Sequence, residues 1–154
     1  MTTTCAGCTG EAAQVGWRAC RTGWGPPHSQ LSIWPKRAAT LEVRGRHSGR
    51  LITLPVVIAD YEGERYLVSM LGENANWVRN VRAAGGRAVL RHGQCEAVRL
   101  EEVATEQRPA ILRRYLALAP GARPHIPIER HAPLEDFARL APGIPVFRLV
   151  SEQA

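Results

Sequence analysis

Ala39-Thr-Leu-Glu-Val-Arg44, Gly45-Arg46-His47-Ser48-Gly49-Arg50 and Leu51-Ile-Thr-Leu-Pro-Val-Val-Ile-Ala59 are consecutive, and their reading decides the fold. Leu41 and Val43 alternate with Glu42 and Arg44, the two-residue period of a half-buried strand. Turn chemistry follows at Arg46-His47-Ser48-Gly49, and a second, strongly apolar strand runs from Leu51 to Ala59. Two such runs across a short polar turn predict an antiparallel hairpin. Pro55 lacks an N–H for a ladder, which assigns the second strand to an edge or a bulge.

Outward from this hairpin the same logic continues. Asp60-Tyr61-Glu62-Gly63 is a turn, and Arg65 to Leu71 a third strand. After Gly72 the period changes: Trp77, Val78 and Val81 form a stripe opposite Arg79 and Arg82, predicting a helix over 74–84 with Asn74 or Asn76 as its cap and Gly85-Gly86 as its stop. Arg87 to Arg91 and Gln94 to Val103 read as strands around His92-Gly93. Thr105 is placed as the N-cap of a helix to Ala119 that buries Ile111, Leu112, Tyr115 and Leu116. An irregular, proline-rich connection over 120–133, a short helix over 134–140 and a strand over 144–150 complete the chain. The order β-β-β-α-β-β-α-α-β with hairpin-length turns predicts an α+β domain. Its six antiparallel strands protect their edges by curling into a small barrel.

At 154 residues, 45% apolar and 22% charged, the composition is that of one globular domain. No apolar run is long enough to cross a bilayer as a helix. Residues 1–30 are expected to be a poorly ordered extension, with a short helix near Gln30 to Arg37, and 31–150 the folded domain. The first ten residues lack the charge and apolar pattern of a secretory signal, and four cysteines are too few for a disulfide framework, so the expected location is cytoplasmic. Cys5, Cys8, Cys20 and His28 can be written as a zinc set, but the spacing is loose, and cysteines carried on the extension are the simpler reading; no metal site is assigned.

The net charge of +6 favours anionic partners, and the basic residues are local. Lys36, Arg37, Arg44, Arg46 and Arg50 face one acid, Glu42, and Arg79, Arg82, Arg87 and Arg91 face none between Trp77 and Arg91. Guanidinium forks and turn amides at Arg46-His47-Ser48-Gly49-Arg50 offer the parts of an anion site; a plain solvated turn is the competing reading. Gly72 to Asn80 leads into a helix N-terminus, which also attracts anions, while Trp77 fits a core position. There is no nucleophile elbow, phosphate-binding P-loop, dinucleotide fingerprint or His-Glu-x-x-His pair, and no aromatic-basic interleaving of a nucleic-acid binder.

Val43-Arg-Gly-Arg46-His-Ser-Gly49-Arg50, Leu54-Pro55, Tyr66-Leu-Val-Ser-Met-Leu-Gly72, Asn76-Trp77-Val-Arg-Asn80 and Ile144-Pro-Val-Phe-Arg-Leu-Val150 together resemble the deazaflavin-dependent nitroreductase family. The resemblance implies a split β-barrel, the fold of flavin and deazaflavin oxidoreductases, and coenzyme F420 as cofactor. Arg46, His47, Ser48, Gly49 and Arg50 would then hold its phosphate and anionic tail. Ser69, Met70, Leu71 and Gly72 would line the ring, and Asn76, Trp77, Arg79 and Asn80 would close the site. Arg123, His125 and Phe137 are placed at the acceptor, from position alone. No side chain is assigned as catalytic, because hydride transfer to a quinone-like or nitroaromatic acceptor needs positioning and a dry pocket rather than a triad. An FMN-using barrel and a non-catalytic carrier of an apolar ligand or of the cofactor are the alternatives. The implied partner is a small-molecule electron acceptor, with peripheral access to membrane quinones and homodimerisation left open, and no nucleic acid.

Overall fold

The computed structural model describes residues 37–152. The expected extension over 1–30, the helix near Gln30 to Arg37 and the set Cys5, Cys8, Cys20 and His28 fall outside the described residues.

Seven strands and three helices follow in the order β1 (Ala38–Arg44), β2 (Leu51–Val57), β3 (Ala59–Tyr61), β4 (Glu64–Val68), α1 (Asn76–Ala83), β5 (Arg87–His92), β6 (Gln94–Glu102), α2 (Arg108–Leu118), α3 (Leu134–Leu140) and β7 (Val146–Ser151). The strands form one antiparallel sheet in the order β2-β1-β5-β6-β7-β4-β3. Its two outermost strands, β2 and β3, are joined by the single residue Ile58. A flat sheet cannot hold its opposite rims one residue apart, so the sheet must curl round on itself, which is the barrel architecture expected.

The described residues hold seven strands rather than six. β1 pairs with β2 only as far as Ala38 opposite Val57, and the Ile58 N–H then donates to the Arg37 carbonyl at 2.9 Å. With β1 exhausted, Ala59 pairs instead with Tyr66, and the expected strand Leu51 to Ala59 divides in two. Pro55 sits opposite Thr40 on the outermost strand, where no donor is required. The third expected strand stops at Val68 rather than Leu71, and the last begins at Val146, since Pro145 accepts from the Ser69 N–H at 2.9 Å but has no N–H to return to the ladder.

Two apolar clusters lie on the two faces of the sheet. One gathers Leu41, Val43, Leu67, Leu90, Val98 and Phe147 with Val78 and Val81 of α1; the other gathers Val68 and Val146 with Ile111, Leu112, Tyr115 and Leu116 of α2 and Phe137 of α3. Leu67 and Val68, like Phe147 and Val146, are chain neighbours in different clusters, as period two requires.

Helix boundaries differ at both expected caps. Ala75 is the N-cap of α1, without a side-chain cap, because Asn74 and Asn76 accept from arginines instead. A 3-10 turn over Thr105–Gln107 precedes α2, and Thr105 caps nothing. The expected stop at Gly85-Gly86 is present, with φ of 63° and 84°. Gly86 is also required sterically: a Cβ there would lie 2.6 Å from the Leu100 carbonyl oxygen, and the Leu100 N–H donates to Gly86 at 2.8 Å.

Candidate functional site

The turn between β1 and β2 is set by its own hydrogen bonds. The Gly45 N–H donates to the Arg50 carbonyl at 2.8 Å and the Gly49 N–H to the Gly45 carbonyl at 2.9 Å, while Ser48 Oγ accepts from the Arg50 N–H at 3.3 Å. Arg44 Nη1 closes over the turn onto the Gly49 carbonyl at 2.9 Å. His47, Ser48, Gly49 and Arg50 are left exposed at the tip.

One buried amide fixes this turn against α1. Asn80, 2% exposed, offers Oδ1 to the Arg46 backbone N–H at 3.2 Å and to Arg46 Nη1 at 3.0 Å. Arg46 Nη2 reaches Asn76 Oδ1 at 3.5 Å. On the next face of the helix Arg79 Nη2 donates to Asn74 Oδ1 at 2.6 Å. α1 is itself anchored at its far end, where Arg82 forms a fork with Glu102 at 3.0 and 2.7 Å; that pairing holds the Glu102 carboxyl below the usual range. Glu102 also accepts from the buried Arg108 at 3.2 Å, which ties the start of α2 into the same network.

The electrostatics of the corner follow from what its arginines touch. Arg37, Arg65, Arg82, Arg91, Arg108, Arg114, Arg139 and Arg148 are all in ion pairs. Arg44, Arg46, Arg50 and Arg79 meet only carbonyl and amide oxygens or solvent, and none is in an ion pair among the described residues. Glu73, the one acid between Gly72 and Asn80, lies 3.7 Å from Arg82 instead. The first turn of α1 carries no acidic side chain and no side-chain cap. Uncompensated guanidinium groups beside an uncapped helix N-terminus form an anion-seeking surface.

Ser69 to Gly72 supplies the adjoining wall. Ser69 is buried, donates its hydroxyl to the Gly72 carbonyl at 2.8 Å and accepts the Gly72 N–H at its own carbonyl at 3.0 Å. Gly72 has φ of 80°, and a Cβ there would approach the Gly143 carbonyl to 3.2 Å. This tight bend turns Leu71 outward, 63% exposed, while Met70 packs partly into the α2–α3 cluster. Leu51 and Ile52, 56% and 39% exposed, lie just beyond Arg50. Apolar side chains left open beside a cationic turn fit a ligand with one flat apolar part and one anionic part.

Other expected positions fall elsewhere. Trp77 is half-buried against Phe147, ring centroids 5.5 Å apart and tilted by 58°, so most of the ring serves the core. Phe137 is wholly buried in the α2–α3 cluster and presents no surface to an acceptor. Arg123 and His125 are exposed after α2, and no hydrogen bond among the described residues links them to the corner. Grooves of about 630 and 620 Å³ open against α2 and α3 and contain none of the corner residues. Among the described residues no group of three His, Cys, Asp or Glu side chains could hold a metal ion, and no helix is long and apolar enough to cross a membrane. Asn80 is marked in the sequence by the Asn76-Trp77-Val-Arg-Asn80 motif, but its part as the joint to Arg46 is visible only in three dimensions.

The curled antiparallel sheet with its flanking helices is a split β-barrel. The sequence model of the F420H(2)-dependent quinone reductase family matches residues 22–125, and the chain belongs to that family. The family is one of F420H2-dependent reductases, which gives coenzyme F420 as its cofactor and oxidoreduction as its class of chemistry. No curated protein sequence matches the chain.

Solved structures share the fold at low identity. An F420-H2 dependent reductase, FDR-A, is 16% identical over 78% of this chain and 99% of its own, with a TM-score of 0.54. Atu2129, a protein of unknown function from Agrobacterium tumefaciens str. C58, is 18% identical with a TM-score of 0.57; the match covers 77% of this chain, which spans about half (49%) of that protein. A third structure, described as a domain-swapped dimer, is 15% identical over 78% of this chain and 84% of its own, with a TM-score of 0.52.

Proposed function

We propose that the protein holds reduced F420 for direct hydride transfer to a quinone-like or nitroaromatic acceptor, at the corner between the β1–β2 turn and α1. The observation that carries this reading is the Arg46–Asn80 contact, which docks an arginine turn without a carboxylate partner onto the middle of α1, while Arg46 Nη2 reaches back to Asn76 at the uncapped start of that helix.

Reduced F420 supplies the hydride when bound, and the chain supplies position. Arg46 and Arg50, with Ser48 and the turn, would take the phosphodiester and the acidic tail, as guanidinium forks and helix N-termini favour. Ser69, Met70, Leu71 and Gly72 would back the ring, Leu71 offering its exposed side chain. Asn76 and Asn80 hold Arg46 in place, and Arg79 extends the cationic surface along α1. His47 adds a donor at the tip. The acceptor needs closeness and alignment, which a packed wall and a fixed turn provide without an acid or base.

The test uses the full-length protein. F420 binding is titrated by fluorescence, and menadione is then added to the reduced complex while visible absorbance is followed. Tight binding with return of absorbance at a rate dependent on protein supports the reading. Binding without turnover favours the carrier, and FMN retained through purification with no F420 affinity overturns the cofactor assignment.

A further inference from the structure

Two grooves lie side by side along the outer face of α2. The first, about 630 Å³, is walled by Tyr61 and Tyr66 of the β3–β4 hairpin, Glu62 at its turn, Glu106 ahead of α2, and Leu134 and Glu135 at the start of α3. The second, about 430 Å³, continues toward the C-terminal half of α2 and is lined by Arg113, Arg114, Arg130 and His131. Tyr61 and Ala110 belong to both, so the two are halves of one face. Every carboxylate lining this face lies in the first half and every guanidinium in the second.

These charges are largely available. Arg114 is shared with Asp60 at 3.1 Å and Arg130 donates to His131 at 2.7 Å, whereas Glu106, Glu135 and Arg113 enter no ion pair among the described residues. Leu134, 43% exposed, stands with Leu51, Ile52 and Leu71 among the large apolar side chains left open; the other three border the cofactor corner, and Leu134 alone lines this face.

A face with opposite charges on either side of a shared centre is complementary to itself under two-fold rotation. We propose that two copies of this chain meet here, α2 crossing the α2 of the second copy antiparallel at Ala110. With a rise of about 1.5 Å per residue, Glu106 and Arg114 lie on the order of 6 Å to either side of Ala110. The rotation therefore brings Glu106 of each copy level with Arg113 and Arg114 of the other, forming each cross-pair twice. Ala110 and Ala117 are small enough for the helix axes to approach, and Leu134 with the two tyrosines supplies apolar area to be covered. A cationic ligand would answer one half of the face and an anionic one the other. A second copy answers both.

Sedimentation velocity of the full-length protein over a concentration series, at low and high salt, reads the association. The expected result is a dimer whose dissociation constant rises with salt. E106R and R113E, each checked for folding by circular dichroism, place like charges across the axis twice and should each weaken self-association at least tenfold. Mixing the two variants restores both attractive pairs, so a mixed dimer should form where neither variant alone associates. A wild-type protein that stays monomeric throughout, or a dimer indifferent to both reversals, overturns the proposal, and so does failure of the mixture to associate.

Discussion

Replacing Asn80 by Asp separates the mechanical role of this residue from the electrostatic one. The carboxylate keeps an acceptor where Oδ1 now takes the Arg46 backbone N–H at 3.2 Å and Nη1 at 3.0 Å, so the turn should stay docked. Its charge at a position 2% exposed costs desolvation, but it is met at once by Arg46, and the net change in stability should be within about 1 kcal/mol. The corner, however, loses one of its uncompensated cations. Against a polyanionic cofactor that charge is worth about 1–1.5 kcal/mol, or roughly a tenfold rise in the F420 dissociation constant. Asn80→Ala does the reverse: it keeps the Arg46 charge and removes both hydrogen bonds, one neutral and one charge-assisted, for about 2 kcal/mol and a fall in Tm of roughly 5–10 °C. Thermal melts and fluorescence titrations of the two variants, side by side at fixed ionic strength, make the comparison. An Asn80→Asp variant that binds F420 within about twofold of the wild type refutes the claim that Arg46 meets the anionic part of the cofactor.

Arg46 and Arg50 replaced together by Ala should weaken F420 binding by about 2 kcal/mol or more, with a shallower salt dependence of the dissociation constant. Gly86→Ala forces a Cβ to 2.6 Å from the Leu100 carbonyl oxygen at φ of 84° and should cost on the order of 2–3 kcal/mol by denaturant titration. The Arg65 fork on Glu96, at 2.6 and 2.8 Å, lowers that carboxyl to about 2, helped by the Ser151 hydroxyl. A depressed carboxylate stabilises the fold fully above its ordinary range near 4.5 and loses that contribution as pH falls toward 2. Because both side chains are about one-third exposed, the effect is screened to about 1 kcal/mol, and Glu96→Gln should flatten the acid limb of a stability–pH curve by that amount.

The alternation of Leu41 and Val43 against Glu42 and Arg44 made the first hairpin readable, and the 3.6-residue stripe of Ile111, Leu112, Tyr115 and Leu116 did the same for α2. Local pattern reports such elements because burial of one face imposes it. The break at Ile58 was not readable, since an apolar run looks the same whether or not its partner strand runs out. Nor were the caps: Asn74 and Asn76 are good cap residues by type, but arginines from the same helix and from a turn 30 residues earlier compete for their oxygens. At the site, residue pattern alone shows the arginine turn and the start of α1 as separate segments, and the family resemblance is what assigns both to one site. Their meeting through Asn80 depends on the curl of the sheet, which no local signal encodes. Phe137, placed at the acceptor from position alone, closes the α2–α3 core instead, because a lone aromatic in a short helix carries no periodic signal of which way it faces.

The way the sheet ends has a bearing on self-association. One terminal strand carries a proline at its middle and the other is three residues long. Both borders are thus poor templates for backbone ladders, so neighbouring molecules in a crowded solution have little chance to zip together strand to strand. At these two edges, contact between copies is left to side chains rather than to the backbone.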